Sequence, residues 1–235
     1  MEHCQGNARI VYTHIHDTQG GATQYDEVMG PGSFAQVYHD LFRVFFQPSP
    51  GVQRQIDQKL ITSGLQYGHY HVAHFRAEYG KEVQKHPVLS TTRFLEKVTI
   101  NALKCASEFP MNLYGRDKGP TPIFFASDNR IAIEKAVSLG KELNYPIVTF
   151  ERSEASPLPL DQYNNVTRID PSLYYSTFAD LYLAGNGDCV THGRGGFGRF
   201  ASLLSFNVTC SSKHVKQFFP VECKGRSPFD RVTLP

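Results

Sequence analysis

The stretch Thr191-His192-Gly193-Arg194-Gly195-Gly196-Phe197-Gly198-Arg199 carries the sharpest chemical signal in the chain. It follows a run predicted to be a strand and opens a predicted helix. Glycines there let backbone N–H groups come close to a ligand, and a helix N-terminus attracts anions. Gly193, Gly195 and Gly198 spell G-x-G-x-x-G, the spacing of dinucleotide-binding turns. In those proteins the turn follows the first strand, and an acidic residue stands about 20 positions on. Here the turn comes last, and position 213 is lysine. Phosphate binding is therefore the expected chemistry, with a purely architectural glycine turn as the alternative.

Two further clusters stand at predicted strand ends. His74-Phe75-Arg76 closes the run HVAHF, and an arginine there offers a planar fork that matches phosphate oxygens. A plain surface salt bridge is its other reading. Ala126-Ser127-Asp128-Asn129 closes the run IFFAS. Ser127 or Asp128 is read there either as a ligand contact or as the N-cap of the following helix, where a side-chain oxygen takes an orphan backbone donor. Glu78 and Glu82 are the carboxylates nearest in sequence to Arg76, and either is a candidate base. His14-Ile15-His16-Asp17 imitates the H-x-H of metal-dependent hydrolases, but no remote ligand set accompanies it, so no metal is expected. No Ser-His-Asp or Cys-His arrangement stands out.

The elements that must position these clusters alternate. Strands are predicted at 71–75, 123–127, 146–150 and 188–192, and helices at 91–107, 129–143, 171–183 and 195–205. Ahead of them, 35–46 and 52–65 show helical spacing of apolar residues, with Pro48 and Pro50 between. Gly20 to Ser33 reads as a turn-rich loop. Such alternation predicts an α/β fold with a Rossmann-like, doubly wound parallel sheet, in whose crevice at the carboxyl strand ends ligands bind. The first 66 residues hold four basic and six acidic residues and read as a separate partial region or linker. Residues 67–235 form the expected nucleotide-binding domain.

Composition narrows the partners. With 24 basic and 22 acidic residues, the net charge of +2 carries no strong pull towards nucleic acid. No apolar run approaches the ~20 residues that span a bilayer, and the N-terminus lacks the layout of a signal peptide. Cys189, Cys210 and Cys223 cluster late in the chain, and a disulfide among them is open. N-V-T tripeptides at Asn165 and Asn207 are potential N-glycosylation acceptors that suggest a lumenal compartment, with Asn207 read as lying in a strand.

The ordered set His74-Phe75-Arg76, Ser127-Asp128 and Thr191 to Phe200 resembles the nucleotide-sugar domain of the fucosyltransferase superfamily, the clan of α1,6-, α1,2- and protein O-fucosyltransferases. Ala179-Asp180-Leu181 echoes the acidic-leucine pair of the helix before its third motif. The resemblance covers about residues 66–210 and implies the C-terminal half of a GT-B glycosyltransferase. It implies a metal-independent, inverting transfer of fucose from GDP-fucose to a glycan or protein hydroxyl, in the Golgi or endoplasmic reticulum lumen. The GDP-sugar is then a donor substrate, and no separate cofactor is implied. His74 and Asp128 would contact the guanine-ribose side, with Ser127 beside them. Arg76 would grip the pyrophosphate and stabilise the departing charge. His192, Gly193, Arg194, Gly195, Gly196 and Phe197 would present donors to the phosphates. The chain departs from the family in having Ala77, Glu78 and Tyr79 where many relatives carry a second arginine and an aspartate. Too few residues precede the matching domain for the family's second one, so a truncated or minimal relative is expected. The competing expectations are a catalytically silent nucleotide- or glycan-binding module and an NAD-binding oxidoreductase.

Overall fold

The computed structural model describes residues 33–78, 85–110, 119–150, 170–216, 219–223, 225 and 227–232. The expected loop from residue 20, the His14-Ile15-His16-Asp17 cluster, Glu82 and Asn165 lie outside the described residues. Two compact units divide between Phe46 and Gln47, ahead of the boundary expected at residue 66. In the first, helix α1 spans Ser33–Phe45, and the Phe42 ring stacks on Phe46 at 5.1 Å.

The second unit begins with α2, Pro50–Ser63. Pro50 does not merely end the preceding segment; it occupies the first helical turn, where a missing N–H costs nothing. The Ser49 side chain accepts from the Val52 N–H, and Gly64 ends the helix at φ 70°, a left-handed conformation suited to glycine. The main sheet holds β1 (His71–Phe75), β2 (Ile123–Ser127), β3 (Ile147–Val148), β4 (Val190–His192) and β5 (Ser211–Lys213). Its order is β3-β2-β1-β4-β5, parallel throughout. Helices α3 (Thr92–Ser107), α4 (Arg130–Glu142), α5 (Tyr175–Gly185) and α6 (Gly196–Leu204) complete the unit. The short pair β6 (Val215–Lys216) and β7 (Phe219–Pro220) is antiparallel.

Side-chain alternation explains the layering. Ala73, Phe75, Ile123 and Phe125 point to one face, against Leu95, Val98, Leu103, Ala136 and Leu139 of α3 and α4. Val72, Phe124, Ala126 and Val190 point to the other, against Val52, Ile56, Ala179, Leu183 and Ala201 of α2, α5 and α6. Both faces are covered, which is why HVAHF and IFFAS read as continuous apolar runs. The expected α/β class with a parallel, helix-flanked sheet is thus present, compatible with a Rossmann-like fold. The order 3-2-1-4-5 places the reversal of strand order between β1 and β4, the crevice where doubly wound sheets take ligands.

Two local expectations are corrected. Neither Ser127 nor Asp128 caps α4; the Asn129 side chain does, accepting from the Ala132 N–H at 3.3 Å. Asn207 lies in an exposed turn outside the strands. No described helix is long and apolar enough to cross a membrane.

Candidate functional site

Register brings the three clusters to one edge. Phe75 pairs with Ser127 and His74 with His192, so the carboxyl ends of β2, β1 and β4 lie side by side. Contacts tie them together. The Gly193 N–H donates to the His74 carbonyl at 3.1 Å, and the His74 ring stacks on Phe197 with centroids 4.8 Å apart.

Each glycine of G-x-G-x-x-G has its own reason to be there. A side chain on Gly193 would start 3.1 Å from His214 Nε2. Gly195, the N-cap of α6, has φ 102°, which strains any residue with a Cβ. On Gly198 a Cβ would lie 2.6 Å from His74 Nδ1 and 2.7 Å from His192 Cβ. This last glycine is what lets helix α6 seat against β1 and β4. Gly198→Ala is therefore expected to destabilise by about 1–3 kcal/mol, the usual cost of overpacking. Urea unfolding measures it, and an unchanged midpoint would show that the histidines yield freely.

Not every expected donor is available. The Gly193 N–H is already used by the His74 carbonyl. Gly196 and Phe197 belong to the first turn of α6, where N–H groups have no acceptor within the helix. Gly196 is exposed, and a Cβ there would meet nothing within 4 Å, so its backbone is open to an approaching anion. Arg194 is exposed beside it.

The histidines line the floor rather than the opening. His192 is buried, and its Nδ1 lies 3.0 Å from the Gly193 carbonyl, which accepts the ring proton. Burial pushes its pKa below the usual histidine value, against the pull of that carbonyl. His214, just after β5, is wholly buried, with Nδ1 3.3 Å from Thr191 Oγ1. Burial, with the charges of His74 and His192 next, drives it down to about 3. Burial thus disfavours charge on His192 and His214, and the positive field at this edge comes from Arg76, Arg194, Arg199, Lys213 and the start of α6.

Asp128 has a different task from a helix cap. One of its carboxylate oxygens accepts the Ala77 N–H at 2.6 Å, and the other accepts the Glu78 N–H at 3.2 Å. Arg76 Nε lies 3.9 Å from Asp128 Oδ2. The carboxylate thus fixes the chain leaving β1 and lies beside the Arg76 guanidinium, while the side chain of Arg76 stays about one-third exposed. Ser127 is buried, and its hydroxyl accepts the Asn129 N–H at 3.2 Å. Glu78 is exposed at the same edge. His214 escaped the sequence reading because it follows the polar strand Ser211–Lys213, which shows no apolar rhythm.

A cavity of about 360 Å³ lined by His71, Phe109, Leu143 and Tyr145 lies at the opposite edge, where the strands begin. Burial raises the Tyr145 hydroxyl to about 12. Those residues are separate from the strand-end clusters. No family model, curated protein or solved structure matches this chain.

Proposed function

We propose that this chain binds a nucleoside diphosphate sugar at the carboxyl edge between β1 and β4, as the nucleotide-sugar half of a fucosyltransferase-like GT-B glycosyltransferase. The observation that carries the reading is the meeting of Arg76, its Asp128 clamp and the exposed first turn of α6 at the sheet's switch point. Arg76 supplies a guanidinium for the pyrophosphate, and the Gly196 and Phe197 N–H groups supply backbone donors. Charge building on a departing diphosphate would meet donors already in place, which lowers the barrier without reorganisation. GDP-fucose is the donor that the strand-end motifs favour. A lumenal setting agrees with the two disulfides, Cys105–Cys223 and Cys189–Cys210.

Calorimetric titration with GDP, alongside UDP and NADH, tests the reading. Saturable binding selective for GDP is expected. Arg76→Ala should weaken it by about 10- to 100-fold, the equivalent of one or two charge-assisted hydrogen bonds. A folded chain that binds no nucleotide overturns the proposal. An Arg76→Ala protein that binds GDP as well as the parent removes the role given to the arginine.

A further inference from the structure

At the opposite edge of the sheet, three neighbouring strands bring unusual side chains to one level. Val72 pairs with Val190, and Val190 with Ser211. The residues one position earlier are His71, Cys189 and Cys210, which by strand alternation share the face covered by α3. Backbone bonds hold that level, with the Val72 N–H donating to the Cys189 carbonyl and the Val190 N–H to the Cys210 carbonyl. Asp188 adds a carboxylate, its Oδ2 3.9 Å from the Cys189 sulfur. One ligand atom each from His71, Asp188 and Cys189 lies within 4.8 Å of the others. The Cys210 sulfur is bonded to that of Cys189.

We infer that, with the Cys189–Cys210 bond reduced, His71, Asp188, Cys189 and Cys210 form a tetrahedral site for zinc or another thiolate-preferring divalent metal. The donor set of two thiolates, one imidazole and one carboxylate is what such ions select. Tetrahedral bonds of about 2.0–2.3 Å place ligand atoms roughly 3.5 Å apart, a short inward movement for the His71, Asp188 and Cys189 atoms, while the two sulfurs, now bonded, move apart on reduction. His71 is built for the part. It is 1% exposed, its Nδ1 is held 3.0 Å from the Ala106 carbonyl, and its buried Nε2 has no hydrogen-bond partner. That pairing matches metal-bound histidines, whose second nitrogen is oriented by an acceptor.

The exchange balances. A dithiol reductant gives two electrons and two protons to the Cys189–Cys210 bond, and its own sulfurs pair. The metal ion then displaces the two thiol protons with no further redox change. The same two cysteines thus serve as a disulfide in an oxidising compartment and as metal ligands in a reducing one, or before oxidation of the new chain. The inference is independent of the nucleotide reading, which concerns the other edge.

The test uses the full chain, reduced with a water-soluble phosphine and desalted under argon, then titrated with Co²⁺. Expected are one equivalent bound, a thiolate-to-cobalt charge-transfer band, tetrahedral d–d bands, and bleaching on addition of Zn²⁺. The unreduced chain should show none of these. Cys189→Ser is compared in the reduced state, where the parent also lacks the disulfide and Cys105 and Cys223 are present in both. It should bind Co²⁺ more weakly and with a charge-transfer band at most about half as intense, since only the Cys210 thiolate remains. His71→Asn keeps an N–H for the Ala106 carbonyl but removes the ligand nitrogen, and should weaken Co²⁺ by at least the ~10-fold that losing even an outer-sphere partner costs. A reduced, folded parent without the band overturns the inference. So does a Cys189→Ser or His71→Asn protein that binds as the parent does.

Discussion

Changing both Cys105 and Cys223 to Ser is expected to lower stability by about 5 kcal/mol. The two residues are 118 positions apart. Cross-linking so long a loop removes more freedom from the unfolded chain than a short one; for the 21-residue separation of Cys189 and Cys210 the same reasoning gives about 3 kcal/mol. The shorter bridge lies inside the longer loop and trims its effective length. Because the dependence is logarithmic, that removes only about 0.2 kcal/mol. The Cα separations, 5.3 and 4.9 Å, are ordinary for disulfides. In the native state the longer bridge fastens the C-terminal segment to α3, but not alone. Asn101 Nδ2 donates to the His214 and Val221 carbonyls, Ser107 and Ser227 share a hydrogen bond of 2.6 Å, and Phe229 sits in the core at 1% exposure. The segment should therefore keep its place in the double variant while the unfolding midpoint falls. Urea denaturation read by tyrosine fluorescence and circular dichroism measures the loss, which is large against the ~5–15 kcal/mol of a typical domain. A loss below about 1 kcal/mol would mean that the unfolded chain gains little freedom when the bridge is removed.

The central sheet was legible because β1 and β2 are short apolar runs between turns, and the helices between them repeat apolar residues at helical spacing. Thr92–Ser107 and Arg130–Glu142 fall within a residue or two of the expected bounds. The edges were harder to read. Only Ile147–Val148 of the expected 146–150 is strand, and Ser211–Lys213 was not expected at all. An edge strand needs no apolar alternation, and polar residues there discourage pairing with other chains. The pairing of Cys105 with Cys223 was equally hidden, since sequence distance says nothing of proximity across a sheet. At the candidate site the strand-end residues were visible as types, but their division of labour was not. Asp128 and Asn129 are adjacent polar residues of similar capping power. Which one caps α4 was decided by the chain leaving β1, whose Ala77 and Glu78 N–H groups claim the Asp128 carboxylate. Likewise the resemblance implies a ligand contact for His74, and the structure adds that its ring packs on Phe197 beneath the turn.

Asp180→Ala is expected to cost about 3–5 kcal/mol, because it strands a cation inside the second unit. Asp180, on α5, meets Lys59 of α2 with Nζ and Oδ1 2.5 Å apart, and the two side chains are only 8% and 13% exposed. Lys59 also donates to Ser176 Oγ at 3.3 Å and lies 4.6 Å from the Phe150 ring centroid. Those contacts soften an ammonium charge without neutralising it. Removing the carboxylate leaves that charge to be desolvated without a counter-ion, which is why the single change should be far worse than changing both partners. With Asp180→Leu and Lys59→Met combined, the apolar contacts around Ile56 and Leu183 continue across the gap, and stability should return to within about 1–2 kcal/mol of the parent. Chemical denaturation of the parent, the single variants and the double variant completes a cycle that separates the coupling from each residue's own packing. A small loss on Asp180→Ala alone would show that the Lys59 stem bends to carry its charge to water. In that case the joint between α2 and α5 rests on Val52 and Ile56, and the acidic residue before Leu181 is free for another task. A large loss with recovery in the double variant assigns Asp180 to holding the helices together. The acidic-leucine pair is then explained by packing, and Arg76 with the first turn of α6 is left to carry any ligand chemistry.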